Sequence, residues 1–174
     1  MRRSLVTGVV LAVAAGVVVL VSSALDLGLE SAALLGGALG AVVALVPDRS
    51  PGARLGGFAV GFVAAWVGYL LRAGMLPDSA GGRSAAVMGV VLVCVVATAV
   101  SGGRLPLWSL LLGTAAFAGG YEFTFDAAPP EVMSTSVATA TTLLLDLAIG
   151  FFAGSLVPES VDEADTRTEM AEVA

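Results

Sequence analysis

The residue with the clearest chemical potential is Asp146, eleven positions into the last apolar run, 135–157. At 1.5 Å per helical residue it lies roughly 15 Å along that run, near the centre of a bilayer. A carboxylate facing lipid at that depth costs about 3 kcal/mol or more. It is therefore expected to face protein or water, or to be protonated. Thr135, Thr139, Thr142, Gly150 and Ala153 recur with Asp146 at steps of three and four, which places them on one helix face. Two chemistries fit this stripe. Asp146 could bind a proton or metal ion on a transport path, with the threonine hydroxyls as ligands. It could instead bond across to another helix, the threonines bonding their own backbone.

A second set of acids, Glu122, Asp126 and Glu131, falls in the segment YEFTFDAAPPEVM at 121–133. Tyr121, Phe123 and Phe125 alternate there with polar residues. Alternation suggests an extended or hairpin segment at a membrane interface, aromatic side chains in the headgroup layer and acids in water. An external cation site from the three acids is one reading and a plain interfacial anchor is the other. Trp66, Tyr69 and Trp108 read as further belt residues near span ends.

Enzyme chemistry finds no support. The chain has no His, so neither a Ser-His triad nor a His-ligated metal site can be built. No phosphate-binding glycine loop is present, and an intramembrane aspartyl protease would need a second membrane carboxylate. No cofactor is implied, and any metal is unspecified. With no basic stripe carrying interleaved aromatics, nucleic-acid binding is not expected.

The elements that must hold these residues follow from composition. Of 174 residues, 57% are hydrophobic and 13% charged, too few polar groups to clothe a soluble core of this size. Lipid is the expected solvent. Apolar runs at 5–24, 29–46, 55–72, 85–101, 105–120 and 135–157 predict an all-α, polytopic transmembrane helix bundle of six spans within 1–157. Lone strands would leave backbone groups unsatisfied in lipid, and the alternation of a membrane barrel is lacking. Turn-rich breaks at 47–52, 77–82, 101–103 and 128–130 separate the runs. The first run has a rival reading as a cleaved signal peptide, with Arg2 and Arg3 before it and Ser22-Ser23-Ala24 after it. The tail 158–174 is acidic and is read as disordered.

Arginine placement sets the expected orientation. Arg2, Arg3, Arg49, Arg54 and Arg104 fall on one side of a six-span scheme, Arg72 and Arg83 on the other, which puts both termini in the cytoplasm of a cell membrane. Usage of Arg without Lys, beside abundant Ala, Gly and Val, suits a prokaryotic genome rich in G and C. The lone Cys94 cannot form an intrachain disulfide and reads as a buried, inert thiol.

Two patterns concern helix packing. Gly57, Gly61, Ala64 and Gly68 line one face of the third run, and Gly36, Gly40 and Ala44 one face of the second. Such small-residue faces allow close backbone contact within the fold, in a homo-oligomer or with partner helices. The other pattern is a candidate 3+3 inverted repeat. Residues 70–79 (LLRAGMLPDS) resemble 151–160 (FFAGSLVPES), and GVVL occurs at 8–11 and 89–92, all at an offset of 81. LLGGALGA at 34–41 resembles LLGTAAFA at 111–118 after a four-residue gap. Inverted repeats are a transporter architecture with the site where the halves meet; a chain rich in Ala, Gly, Val and Leu also produces such matches by chance. The expectation is a small ion or solute transporter or channel with Asp146 on its path, or alternatively a non-transporting structural or assembly subunit of a membrane complex.

Overall fold

The structure, a computed structural model, describes residues 33–155 and a few isolated positions of the first run. Apart from those positions the first run, and with it the signal-peptide alternative, lies outside the described residues, as does the tail 158–174. Among those described, all regular structure is helical. Helix α1 spans Ala33–Leu45, α2 Pro51–Met75, α3 Ala80–Val100, α4 Leu107–Ala127 and α5 Val132–Ser155, with a 3-10 turn at Pro129–Glu131 before α5. Three stretches, Pro51–Gly74, Ala80–Val100 and Pro129–Ser155, are long and apolar enough to cross a membrane.

Helix boundaries depart from the sequence expectation in an instructive way. Composition reads the breaks at 47–52 and 77–82 as turns throughout, yet their second halves start helices. Ser50 caps α2, its Oγ accepting from the Ala53 N–H at 3.3 Å, and Pro51 opens the first turn. Proline suits that position because its missing N–H would have no helical partner there. Ser79 caps α3 likewise, accepting from the Gly82 N–H at 3.2 Å. Between α3 and α4, Gly102 and Gly103 take φ values of 63° and 74°, a left-handed conformation that glycine adopts without steric cost.

The larger correction is at 121–127. These residues are not an extended interfacial segment; α4 continues through them to Ala127. Tyr121 and Phe125, one helical turn apart, are both buried, whereas Phe123 between them is 88% exposed. The aromatic pattern is therefore a four-residue helical repeat, which a short alternating window imitates. Trp66 and Tyr69 are core-facing and not belt residues. Tyr69 packs edge-on against Phe117, Tyr121 and Phe125 with ring centroids 5.2–5.7 Å apart, a favourable aromatic geometry.

Two close helix crossings build the core. In the α2–α4 crossing a Cβ on Gly57 would stand 3.2 Å from Ser109, one on Gly61 would run into the Leu110 carbonyl, and one on Gly113 into the Phe58 carbonyl. In the α1–α5 crossing a Cβ on Gly40 would strike the Leu147 carbonyl and one on Gly150 the Gly37 carbonyl. Gly68 touches Val90 of α3. Without a hydrophobic driving force between helices in lipid, such backbone proximity is what provides dispersion contact. Helix α3 is peripheral: only Gly82 and Cys94 of it are buried.

At the opposite end from Tyr69, Arg54 is buried and its guanidinium donates to the carbonyls of Ala44 (3.0 Å) and Val46. It thus caps the C-terminal end of α1, where carbonyls lack helical partners and the dipole favours a cation. Trp108 Nε1 donates to Asp48 at 2.6 Å at the same end.

Candidate functional site

Asp146 sits on the face of α5 that meets α1. Ser136, Ala140, Leu143, Asp146, Leu147, Gly150 and Ala153 are among the buried positions of this helix, recurring at the three- and four-residue spacing of one stripe. Asp146 is 1% exposed. Directly opposite is Gly36, where an added Cβ would lie 2.5 Å from the Asp146 Cβ. Helix α1 therefore presents bare backbone to the carboxylate and, from Ala33 to Leu45, holds no titratable residue.

Both carboxylate oxygens of Asp146 are buried and, among the described residues, neither has a hydrogen-bond partner. Buried acids ordinarily find donors, because an unmatched polar group in a low dielectric costs free energy. Arg54, the other buried charged side chain, does find carbonyl partners. Asp146 differs in having none among the described residues.

The threonines divide. Thr135 lies at the end of the bundle, its Oγ1 2.8 Å from the Tyr121 hydroxyl and donating to the Glu131 carbonyl at 2.8 Å. It joins α5 to α4 and stands eleven residues, about 16 Å of helix, from Asp146. Thr139 and Thr142 are half-buried on the turns between. A further polar link that sequence reasoning missed is Trp66 Nε1 donating to Ser136 Oγ at 2.9 Å. Its signal was faint, since Ser136 lies just off the threonine stripe.

The three acids of the second set are not brought together as one site. Glu122 and Asp126, one turn apart on α4, both bind Arg72 of α2, at 3.0 and 3.1 Å. The Tyr69 hydroxyl also donates to Glu122. Glu131 is exposed, and its carbonyl, not its carboxylate, takes part in the Thr135 contact. The cation that Glu122 and Asp126 hold is thus a guanidinium of the same chain, which also stacks 4.5 Å over the Phe125 ring. The chain matches no protein-family model, and comparisons with curated proteins and with solved structures likewise find no match.

Glu122 lies past the apolar stretch of α4. Partial burial pushes its carboxyl up, but the hydrogen bonds from Tyr69 and Arg72 outweigh it, and the group is held below the usual glutamate range. A lowered folded pKa contributes stability that is present above the unfolded value and is lost as pH falls through the folded one. Acidification below about pH 4 is therefore expected to weaken the α2–α4 end of the bundle. In Arg72→Gln the loss of melting temperature between pH 6 and pH 3 is expected to be smaller than in wild type. An equal loss in both would show that the pair contributes nothing to acid sensitivity. The effect is modest, because the Glu122 side chain is 49% exposed and exposed pairs are worth at most about 1 kcal/mol.

Proposed function

We propose that this chain is a multi-span membrane transport protein in which Asp146 carries a proton through the helix bundle. One observation supports this above the others: a carboxylate on the inward stripe of α5 is sealed from solvent without a hydrogen-bond partner among the described residues. Helix glue requires a bond to glue with. An intramembrane acid without one is tolerated only for a function its charge or proton serves. A proton is favoured over a metal ion because no group of three His, Cys, Asp or Glu gathers among the described residues, and hard cations want several oxygen ligands. The carboxyl is neutral when it holds the proton and buried; it releases the proton when the α1–α5 crossing admits water.

A resemblance between the two close helix crossings also supports this reading. An operation exchanging the second run with the fifth and the third with the sixth would carry the α1–α5 crossing onto the α4–α2 crossing. The tightest contacts correspond: a Cβ on Gly40 would meet the Leu147 carbonyl and the Phe151 N–H, and one on Gly113 the Phe58 carbonyl and the Phe62 N–H, while Gly150 meets the Gly37 carbonyl as Gly61 meets that of Leu110. Gly113 follows Gly40 by 73 residues, one helical turn short of the 77 of the sequence match between their two segments. Leu147 and Phe151 follow Phe58 and Phe62 by 89, two helical turns beyond the offset of 81 read from the helix ends, so the two crossings are alike in packing while their register does not follow the sequence matches. The same reading keeps six spans with both termini in the cytoplasm.

The second reading, a non-transporting assembly subunit, draws on α3, whose Val87, Val91, Leu92, Val95 and Val96 are exposed. The small-residue faces do not favour it, since Gly36, Gly40, Gly57, Gly61 and Gly68 all sit against other helices of this chain.

The deciding experiment is proton flux into proteoliposomes under an imposed pH gradient, read with an internal pH dye, for wild type and Asp146→Asn. Wild-type flux at least about tenfold above empty vesicles and its loss in a mutant with an unchanged melting profile are expected. No wild-type flux, or full flux in the mutant, overturns the proposal.

A further inference from the structure

A second site lies at the Arg72 end of the bundle, apart from Asp146. Helices α2, α3 and α4 enclose a groove of about 210 Å³ there. Its floor is apolar or small, with Ala65, Gly68, Val87, Val90 and Ala118, and its mouth carries Arg72, Arg83 and Glu122. The three helices agree on the direction of the groove. Arg83 to Val91 on α3 and Glu122 to Thr114 on α4 each cover eight residues, about 12 Å at 1.5 Å per residue. In each helix the charged residue is at the mouth and apolar residues lie deeper, with Thr114, whose hydroxyl is bound to the Gly61 and Leu110 carbonyls, at the far end of α4. The groove thus has one charged end and an apolar shaft running along the bundle.

The charges at the mouth constrain what fits. Arg72 and Arg83 stand beside Asp78, Glu122 and Asp126, so three carboxylates outnumber two guanidinium groups. Arg83 is bound only to Asp78, at 3.0 Å, with its side chain 53% exposed and that of Asp78 81% exposed. Its remaining N–H donors can take a phosphate, for which a guanidinium fork is well shaped. Glu122 and Asp126 are about half exposed and have acceptor capacity for an ammonium group. A headgroup bearing negative charge alone would meet a net negative rim; one bearing both charges finds a partner for each.

We propose that this groove is a binding site for a zwitterionic phospholipid of the aminoethyl type, with its phosphate on Arg83, its ammonium on Glu122 and Asp126, and an acyl chain along Val87 and Val90. The larger groove on the far side of the Gly68–Val90 contact has only apolar lining and takes hydrocarbon without selecting a headgroup. The lipid site stands independently of whether Asp146 carries protons.

The test is native mass spectrometry of the full chain released from detergent, titrated with phosphatidylethanolamine or with phosphatidylglycerol of the same acyl composition. One phosphatidylethanolamine is expected to bind roughly tenfold tighter than phosphatidylglycerol. Arg83→Gln, whose exposed side chain the fold does not need, is expected to weaken that binding roughly three- to fivefold. Ala118→Trp, which fills the shaft, is expected to remove the single tight site. Equal or tighter binding of phosphatidylglycerol overturns the proposal. So does undiminished phosphatidylethanolamine binding in Arg83→Gln and Ala118→Trp, which would leave only unselective annular lipid.

Discussion

Asp146→Leu is expected to raise the stability of the bundle while removing the proposed proton flux. Leucine has nearly the branched shape of aspartate, so the α1–α5 crossing at Gly36 is kept. What changes is the cost of holding a polar group that has no partner among the described residues. Groups of this kind cost about 1–3 kcal/mol when buried, and the substitution should return a gain of that order. The measurement is reversible unfolding in mixed micelles, with denaturing detergent as the variable. The sign of the change is the informative part. Breaking a buried charge pair by removing one member destabilises by about 3–5 kcal/mol. A loss of that size would reveal a bonding partner and return Asp146 to a helix-joining role. A gain, combined with lost flux, would mean that stability is given up at this position for function.

Gly40→Ala and Gly37→Ala, three positions apart on one helix, are expected to behave in opposite ways. A methyl on Gly40 would collide with the backbone of α5 at Leu147 and Phe151, whereas one on Gly37 meets nothing within 4 Å among the described residues. Backbone cannot rotate aside as a side chain can. Gly40→Ala must therefore push α1 from α5, at a cost of about 1–3 kcal/mol or more for overpacking. Gly37→Ala should be neutral or stabilise by about 0.5–1 kcal/mol through reduced backbone freedom in the unfolded chain. Melting curves of the two variants, measured in one detergent, decide the matter. Similar losses in both would mean that α1 does not pack on α5 in the register described.

The helices and their packing faces were legible because lipid simplifies the code: an apolar run with glycine every fourth residue suits a closely packed membrane helix and little else. Asp146 was legible for the same reason, as a lone acid in the middle of such a run. The partners of Arg72 were not. Glu122 and Asp126 follow it by 50 and 54 residues, and nothing local marks which helix end meets which. The helical course of 121–127 was hidden by composition, since Tyr-Glu-Phe-Thr-Phe-Asp alternates as a strand would while Tyr121 and Phe125 obey a helical spacing. Arg54 counted as a cytoplasmic charge in the orientation argument; its burial over the last carbonyls of α1 depends on the tertiary approach of α2. What escaped the sequence was contact between distant segments, whereas what it displayed was the character of single segments.

The α1–α5 crossing also sets a timetable for biosynthesis. Helix α1 leaves the ribosome early, and the helix it packs against is the last of those described. Roughly ninety residues separate the two, which at 5–20 residues per second is about 5–20 s of translation. During that interval the glycine face of α1 lacks the helix it packs against. The α2–α4 pair can close while α1 still waits, so the bundle assembles from its middle outward. Stop codons anywhere before α5 would then strand α1 without its partner, and quality control would meet a half-built core in place of a shortened protein.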